Sequence, residues 1–400
     1  MSGTGGRRVL FLIEALTTGG AQRQLYNLAV QLGGLGHQVS LVAYHLVDYN
    51  HRDHFRGQFE RAGVPVTEVP VMAPWRRLGA LRRIVRAAEP DVVIAFLRRP
   101  GLLAELTGLP ARRFALIVSE RTGKEGGRNV RDLTRFQFHR LADAVVANSV
   151  HLEEYVRGAA PWLGPRLRQI TNSVDLEHFR PADSPPPPHG TLRVLAVGRF
   201  RPEKNFLALA AALRLLRTTD PALDVTVDWY GNNFFRGQTP SRRSRPYLEL
   251  LDVLRRSGLE EVFRVHPPVT DVVPLYQRAD VLCLPSRYES LPNVVCEALA
   301  CGLPVLASAV SDNHRLVREG ENGFLFDPRE PHGVAGAVRR FAKLSAEERA
   351  AMGRAGRRLA EELLAPETAA GRWAELVEEV VTARRAARRA AGHATRRAAR

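Results

Sequence analysis

Short apolar runs alternate with helix-like segments along most of the chain, and this alternation restricts the fold more than any other sequence feature. The strand-like runs are RVLFLIEA, QVSLVAY, DVVIAFL, FALIVSE and DAVVANS in the first half, and LRVLAVGRF, DVTVDWYG, VFRVHPPV, DVLCLPS, LPVLAS and GFLF in the second. Runs of this kind separated by helices form parallel sheets that are covered by helices on both faces. The sequence therefore predicts an α/β fold with two doubly wound sheets.

A proline-rich segment, PADSPPPPHG at 181–190, interrupts this alternation. Proline lacks the amide proton that a helix interior or a central strand needs, so we interpret the segment as a linker. It separates an N-terminal domain at 1–180 from a second domain at 191–365. A helix with one apolar stripe is predicted at 366–383, and an Arg/Ala-rich basic tail follows at 384–400. The stripe consists of Trp373, Leu376, Val377, Val380 and Val381.

The length of 400 residues suits two domains, each large enough to bury a core. No apolar run reaches membrane-spanning length, and the first residues do not resemble a secretory signal. Cys283, Cys296 and Cys301 have no metal-ligand spacing and are interpreted as buried packing residues in a reducing compartment. We therefore expect a cytoplasmic location.

The formal net charge of +16 favours anionic partners such as a membrane surface, nucleic acid or polyphosphate ligands. The abundance of Arg and Ala also fits a GC-rich genome, which weakens the charge as functional evidence. The basic tail lacks aromatic residues for base stacking, and no nucleic-acid motif occurs elsewhere. No nucleic-acid partner is expected.

The segment SRYESLPNVVCEALACGLPVLAS, at 286–308, contains two glutamates, Glu289 and Glu297, around a turn and an apolar run. Pro292 and Asn293 favour the turn, and the run after them predicts a helix. The first turn of a helix has free N–H groups and a positive dipole that can hold a diphosphate. The residues of this segment that are predicted to bind a nucleotide-sugar donor are Glu289, Leu291, Pro292, Asn293, Val294 and Glu297.

This segment resembles the motif of the retaining glycosyltransferases of family 4, in which two glutamates are separated by seven residues. The chain matches that motif at Ser286, Tyr288, Glu289, Pro292, Glu297, Ala298, Ala300, Gly302, Pro304 and Val305. The alternative is a chance pair of acidic residues on a solvated helix end. The resemblance implies the GT-B architecture: two Rossmann-like domains facing a central cleft, with a C-terminal helix that crosses back to the N-terminal domain.

Further segments match the family in order along the chain. Arg199 and Lys204 follow a strand in GRFRPEKN and resemble the family's Gly-Arg-(x)4-Lys signature, while Gly19 and Gly20 open the first helix near the predicted donor. The positive charges of Arg199 and Lys204 would stabilise a leaving diphosphate. ITNSVDLEHFRP resembles a family segment that we interpret as shaping the hinge, and Asn322-Gly323 is interpreted as a hairpin turn.

Two segments depart from the family pattern. Where many members have a sugar-contacting histidine, this chain has SERTGKEGG, so Glu120 and Arg121 are candidates for an acceptor or sugar contact. The structural alternative is an ion pair at a strand end. VHPPV has Pro267 and Pro268 where relatives have glycine, which leaves the nucleobase open.

The resemblance implies sugar transfer with retention of the anomeric configuration, from a nucleotide-sugar donor, most simply a UDP-sugar, to a glycan or lipid-linked acceptor of the cell envelope. Glu289, Arg199 and Lys204 are the predicted catalytic residues. Glu289 would hold the sugar and Glu297 the ribose, and the leaving phosphate would deprotonate the acceptor. No metal or other cofactor is expected. The alternatives are a nucleotide-sugar 2-epimerase of the same fold and a non-catalytic nucleotide-sugar or nucleic-acid binding protein.

The segment PWRRLGALRRIVRAAEP predicts a basic amphipathic helix that would lie on the inner face of the cell membrane. Its alternative is a surface helix packed on the first sheet. The residues predicted to contact lipid are Trp75, Arg76, Arg77, Arg82 and Arg83.

Overall fold

In a computed structural model, the described residues are 6–17, 19–45, 55–122, 130–184, 190–232 and 244–398. They form two compact units. Unit 1 contains the described residues up to Thr122, residues 130–173 and the C-terminal residues from Pro366, and unit 2 contains the described residues from Val174 to Ala365. The change of unit at 173/174 precedes the predicted linker, whose residues 185–189 lie outside the described residues.

Unit 1 contains a seven-stranded parallel sheet in the order β3-β2-β1-β4-β5-β6-β7. The strands are β1 (Arg8–Ile13), β2 (Gln38–Tyr44), β3 (Val66–Val69), β4 (Val92–Phe96), β5 (Ala115–Glu120), β6 (Ala144–Ala147) and β7 (Leu167–Gln169). Every residue of β4, β5 and β6 is buried, because helices cover both faces of the sheet. This two-sided burial explains why these strands are continuous apolar runs in the sequence.

Seven α-helices belong to unit 1 as described. They are α1 (Gly20–Gly34), α2 (Arg56–Arg61), α3 (Pro74–Ala88), α4 (Arg98–Thr107), α5 (Val130–Phe138), α6 (Val150–Ala159) and the last helix of the chain, α14 (Pro366–Ala398). The Trp373 ring of α14 stacks on Phe96 with ring centroids 6.2 Å apart. The predicted return of the C-terminal helix to the N-terminal domain is therefore confirmed.

The helix α14 does not end at residue 383, where the basic tail was predicted to begin, but continues to Ala398. Alanine and arginine are strong helix formers, so the tail sequence extends the helix. Arg385 pairs with Asp91 at 2.7 Å, and Arg384 donates to the carbonyl of Arg112 at 3.0 Å. Part of the basic tail is thus fixed to unit 1.

Unit 2 contains a six-stranded parallel sheet in the order β10-β9-β8-β11-β12-β13. The strands are β8 (Leu192–Val197), β9 (Val225–Tyr230), β10 (Phe263–His266), β11 (Val281–Leu284), β12 (Val305–Ser308) and β13 (Gly323–Phe326). The helices are α7 (Phe206–Thr219), α8 (Arg245–Arg256), α9 (Val273–Arg278), α10 (Asn293–Ala300), α11 (Asn313–Leu316), α12 (Pro331–Ala342) and α13 (Ala346–Leu363). The prediction of two doubly wound α/β sheets is confirmed.

The hairpin predicted at Asn322-Gly323 is wrong. Gly323 begins β13, which pairs in parallel with β12, and a Cβ atom at this position would lie 1.8 Å from the carbonyl oxygen of Val305. The Asn322 side chain accepts from the backbone N–H of Arg318 at 2.8 Å and donates to the carbonyl of Leu316 at 3.0 Å. The glycine therefore allows two strands to approach closely, and the asparagine closes the preceding turn.

None of the described helices combines the length and apolar character needed to cross a membrane. The three cysteines are buried free thiols, as predicted. Burial raises the pKa of Cys283 and of Cys301 to about 12. Both therefore remain protonated packing residues at neutral pH.

Candidate functional site

The strand order of unit 2 reverses beside its first strand. Chain connections run from β8 to β9 on one side, while β11 lies on the other side of β8. Ligands of open α/β sheets bind outside the carboxyl ends of the strands at such a reversal. The two segments that leave β8 and β11 contain Arg199, Lys204, Glu289 and Glu297. The topology of unit 2 therefore places all four predicted residues at the binding edge of the sheet.

The segment after β8 is anchored by aromatic packing. Phe200 is buried and packs edge-on against Phe206, with ring centroids 5.7 Å apart. Arg199, just before it, is exposed and lies two residues after the end of β8. The buried phenylalanine fixes the turn and leaves the neighbouring guanidinium at the surface of the sheet edge.

Hydrogen bonds join the segment after β8 to the segments after β11 and β13. The N–H of Arg287 donates to the carbonyl of Glu203 at 2.8 Å. Asn205 has a left-handed backbone with φ of 54°, and its side-chain amide donates to the carbonyl of Pro328 at 2.7 Å. Asparagine tolerates this conformation better than most residues, so Asn205 ends the turn that carries Lys204 and begins α7.

Lys204 and Glu289 form an ion pair with 2.5 Å between Nζ and Oε1. Both side chains are mostly buried, the lysine 22% exposed and the glutamate 13%. The Ser311 hydroxyl holds the backbone of Glu289, because it accepts from the glutamate N–H at 3.3 Å and donates to its carbonyl at 2.7 Å. The cation predicted for the diphosphate and the carboxylate predicted for the sugar are therefore adjacent.

The helix α10 begins where the sequence predicted, with Pro292 at its N-cap and Asn293 as its first residue. Leu291 is buried, whereas Asn293 and Val294 are partly exposed at the helix start. The positive end of the helix dipole at this N-terminus favours an anion.

Glu297 lies one turn inside α10 and is 6% exposed. Its Oε2 accepts a hydrogen bond from the Tyr276 hydroxyl of α9 at 2.8 Å. Tyr276 was not predicted, since it lies outside the motif and only the packing of α9 against α10 brings it to Glu297. Ser311 was missed for the same reason.

In unit 1 the strand order reverses beside β1, between β2 and β4. Gly20 begins α1 after this strand, and Gly19 is its N-cap with an extended backbone. Both predicted glycines therefore stand at the start of a helix at the carboxyl edge of the unit 1 sheet, and their donor contact stays a prediction.

Glu120, at the end of β5, is fully buried in a cluster of charged side chains. His139 lies between two carboxylates, with Nδ1 2.7 Å from Glu105 and Nε2 3.1 Å from Glu120. Arg135 approaches Glu120 at 3.3 Å and Asp132 at 3.0 Å. This arrangement favours the structural alternative for Glu120, an ion pair at a strand end, and its contact with a sugar stays a prediction.

The pKa values in this cluster follow from burial and pairing. Burial alone would lower the pKa of His139, but its bonds to Glu105 and Glu120 raise it to about 9. Burial would raise the pKa of Glu120, but Arg135 and His139 lower it below its ordinary value. The cluster is thus built around a protonated histidine at neutral pH. His139 has no sequence signal that links it to Glu105 or Glu120.

The other predicted acceptor residue, Arg121, has its partners outside this cluster. Its side chain donates to the Ser119 hydroxyl at 3.0 Å and to Asn172 Oδ1 at 2.8 Å.

In the predicted hinge segment, Asp175 Oδ1 accepts from the backbone N–H groups of Glu177 and His178 at 3.1 and 3.0 Å. Asp175 therefore closes a turn, as expected for this residue type.

The predicted lipid-contacting residues lie on α3, which begins at Pro74. Trp75 is 73% exposed, and Arg76 and Arg83 are also exposed. Arg77 is buried and donates to the carbonyl of Met72 at 2.7 Å, while Arg82 donates to the carbonyl of Leu106 at 3.1 Å. Two of the five predicted residues thus have contacts within unit 1.

Within the ranges that the structure describes, no group of three His, Cys, Asp or Glu side chains is arranged to hold a metal ion. The site of unit 2 can instead supply two cations, a helix N-terminus and two carboxylates. Such a set can bind a phosphorylated, hydroxyl-rich ligand.

Two family models match the chain. The model described as Glycosyltransferase Family 4 covers residues 18–178, and the model described as Glycosyl transferases group 1 covers residues 191–343. Together they cover more than half of the sequence. The chain therefore belongs to glycosyltransferase family 4, and the resemblance noted in the sequence is confirmed.

Among curated relatives, the D-inositol 3-phosphate glycosyltransferase of Thermomonospora curvata is 34% identical over 221 residues, which is 50% of this chain and 49% of the relative. The chain spans about half the length of the curated relatives it matches. A glycosyltransferase from Rickettsia africae has a TM-score of 0.78 at 16% identity, covering 94% of this chain and 99% of that one. Anabaena HepE, in complex with UDP-glucose, has a TM-score of 0.75 at 20% identity, covering 93% and 100%. These structures show that the fold is GT-B.

Proposed function

We propose that the protein transfers a sugar from a nucleotide-sugar donor, with UDP as the nucleotide, to an acceptor hydroxyl with retention of configuration. The observation that carries the proposal is the Lys204–Glu289 pair beside the N-terminus of α10, with Glu297 one turn inside that helix. The complexes of HepE with UDP and with UDP-glucose support the choice of donor, because that protein shares the fold.

The diphosphate is the first group to be placed. Lys204, Arg199 and the N-terminus of α10 would face the negative charge that develops as the diphosphate leaves. Charge stabilisation of this kind requires no metal ion. Lys204 would have to exchange its contact with Glu289 for a phosphate oxygen when the donor binds.

The two carboxylates would then hold the neutral parts of the donor. Glu289, released from Lys204, would accept hydrogen bonds from sugar hydroxyls, and Glu297 would accept them from the ribose. The Tyr276 hydroxyl donates to Oε2 of Glu297 at 2.8 Å and helps to orient this carboxylate.

During transfer, the bond between the anomeric carbon and the β-phosphate oxygen would break as the acceptor oxygen forms its bond on the same face. The acceptor proton would pass to the leaving phosphate. No protein side chain is required as the base, so positioning supplies much of the rate. Glu289, Arg199 and Lys204 are the proposed catalytic residues, and the proposed cofactor requirement is none.

For the acceptor we propose a phosphorylated or lipid-linked glycan precursor at the inner face of the cell membrane. The exposed Trp75 and the arginines around it supply a surface that fits anionic lipid. A free inositol phosphate is the second candidate, since the curated relatives are named D-inositol 3-phosphate glycosyltransferases.

The test is thermal stabilisation of the purified protein by UDP, GDP, ADP and their sugars, with Glu297→Ala as the variant. A ligand that binds the native state raises the melting temperature. Glu261→Ala, which changes an exposed glutamate of the same unit, is the matched control. UDP should stabilise the wild type and the control but much less the variant. Equal stabilisation of all three proteins, or none, would contradict the proposal.

Product analysis separates the reactions that share this donor. Incubation with a UDP-sugar and a candidate acceptor should release UDP and form a glycoside with the donor's anomeric configuration. Conversion of the UDP-sugar to its 2-epimer would instead identify an epimerase, and unchanged donor would indicate a binding protein.

A further inference from the structure

Arg121 is held in place by groups that carry no charge. Nε donates to the Ser119 hydroxyl at 3.0 Å and Nη1 to Asn172 Oδ1 at 2.8 Å, while the guanidinium carbon lies 4.2 Å from the centre of the Phe96 ring. The third nitrogen, Nη2, donates to no residue in the described parts of the chain. The side chain is therefore oriented without being neutralised.

A nearby arginine shows the contrast. Arg135 has two carboxylates within 3.3 Å, those of Glu120 and Asp132. Across the described residues, Arg121 has no carboxylate within ion-pair distance. A partly buried cation without a counter-charge is unfavourable unless an anion compensates it. Burial lowers the pKa of Arg121 to about 9, so the group still carries its charge at neutral pH.

Arg121 lies at an edge of the sheet that is suited to ligand contact. It follows β5 directly, at the carboxyl edge of the unit 1 sheet, where α/β proteins bind ligands. Next to Phe96, Leu97 has a φ of 78°, which is a strained value for a non-glycine residue. Asn148 donates to the same Asn172 oxygen at 3.4 Å, so polar groups from several strand ends converge there.

We infer that Arg121 binds an anionic group of the acceptor, and that this group is a phosphate. The inference rests on the proposed function for the acceptor, but the anion contact is defined by unit 1 alone. Ser119, Asn172 and Phe96 fix the plane of the guanidinium, and Nη2 is left to donate to a phosphate oxygen. The phosphate comes either from a free phosphorylated polyol or from a lipid headgroup.

Isothermal titration calorimetry with saturating UDP tests this inference. The probes are inorganic phosphate, D-inositol 3-phosphate, neutral myo-inositol and dihexanoyl phosphatidic acid, a short-chain lipid phosphate. The variants are Arg121→Gln and Arg121→Lys. The matched control is Arg166→Gln, because Arg166 is an exposed arginine of unit 1 that donates to the carbonyl of Ala142 at 3.2 Å.

At least one phosphate probe should bind the wild type, and Arg121→Gln should weaken it by about tenfold or more, the loss expected for a hydrogen bond to a charged group. Arg121→Lys should keep part of the affinity, and Arg166→Gln should keep all of it. The better-bound probe identifies the source of the phosphate.

Two outcomes would overturn the inference: equal affinity of wild type and Arg121→Gln for every phosphate probe, or no phosphate binding by the wild type. The UDP titration separates this result from the proposed function. If UDP does not bind the wild type, the donor proposal fails, while a loss of phosphate binding in Arg121→Gln still supports the anion contact.

Discussion

At the residue scale, Glu297 depends on a hydroxyl group from a separate helix. The Tyr276 side chain is 1% exposed and donates to Glu297 at 2.8 Å. A buried carboxylate that loses such a donor becomes less stable and less well oriented. Tyr276 is therefore a positioning residue for the proposed ribose contact.

Tyr276→Phe should weaken UDP binding about threefold to tenfold, because the hydrogen bond to Glu297 is removed and the ring is kept. Isothermal titration of UDP measures this effect. Tyr155→Phe, which removes a similar 2.8 Å bond to Asp132 in unit 1, should leave UDP affinity unchanged. In a double-mutant cycle with Glu297→Gln the effects should be non-additive. Additive losses would contradict the positioning role.

His139 provides a prediction about pH. Its folded pKa of about 9 lies above the ordinary value of 6.5, so its protonation stabilises the folded state fully below pH 6.5. This stability should be lost as the pH rises from 6.5 through about 9, by roughly 3 kcal/mol between pH 6 and pH 9. Histidine NMR should show a ring that is protonated at pH 7.5, and urea unfolding should show the loss. His139→Gln should flatten the pH dependence, and a ring that titrates near 6.5 would contradict the prediction.

The sequence identified the residues of the candidate site that belong to one local motif. Glu289, Pro292 and Glu297 lie within nine residues, so their spacing and the turn between them are readable. Tyr276 and Ser311 come from α9 and from the loop after β12, and only the packing of the folded unit brings them to the glutamates. The uncharged groups around Arg121 likewise come from the ends of three strands, so the local Ser-Glu-Arg sequence does not reveal them.

At the element scale, α3 shows how far an amphipathic pattern is informative. The pattern predicted a basic helix, and Leu81 of that helix is buried against the sheet. The pattern did not show that Arg77 and Arg82 bind backbone carbonyls, because those carbonyls belong to other segments. The remaining exposed residues of α3 are the ones available to a membrane surface.

Trp75→Ala should reduce binding to vesicles that contain anionic lipid by about threefold to tenfold, since an interfacial tryptophan contributes large apolar contact area. Cosedimentation with vesicles measures the bound fraction. Leu363→Ala, at an apolar residue of unit 2 that is 39% exposed, is the control and should have no effect. Unchanged binding of Trp75→Ala would contradict the membrane role of α3.

At the scale of the whole molecule, the alternation of strands and helices predicted two parallel sheets, but it missed β3 and β7. Their sequences, VTEV and LRQ, contain polar residues and form no clear apolar run. The Asn322-Gly323 pair suggested a hairpin, because its local turn preference was considered without the parallel pairing of β12 and β13. Tertiary pairing outweighed the local signal in each case.

The apolar stripe of α14 completes the core of unit 1. Trp373 is 2% exposed and stacks on Phe96, so Trp373→Ala should destabilise unit 1 by about 3 to 5 kcal/mol. Hydrogen exchange should increase in peptides of β1 and β4 more than in peptides of β8 and β11. Trp75→Ala, the same substitution at an exposed position, should change stability by less than about 0.5 kcal/mol. Equal effects of both variants would contradict this role of α14.

The membership of α14 in unit 1 also sets the order in which the chain acquires its structure during translation. Domains generally fold as units while the ribosome extends the chain. The synthesis of unit 1 begins before that of unit 2. Three residues of its core, Trp373, Val377 and Val381, are nevertheless synthesised only after every strand of unit 2. Unit 2 can therefore finish folding while unit 1 still exposes the apolar surface that α14 will cover. A nascent chain that stalls before residue 366 would carry a completed second unit and an incomplete first one.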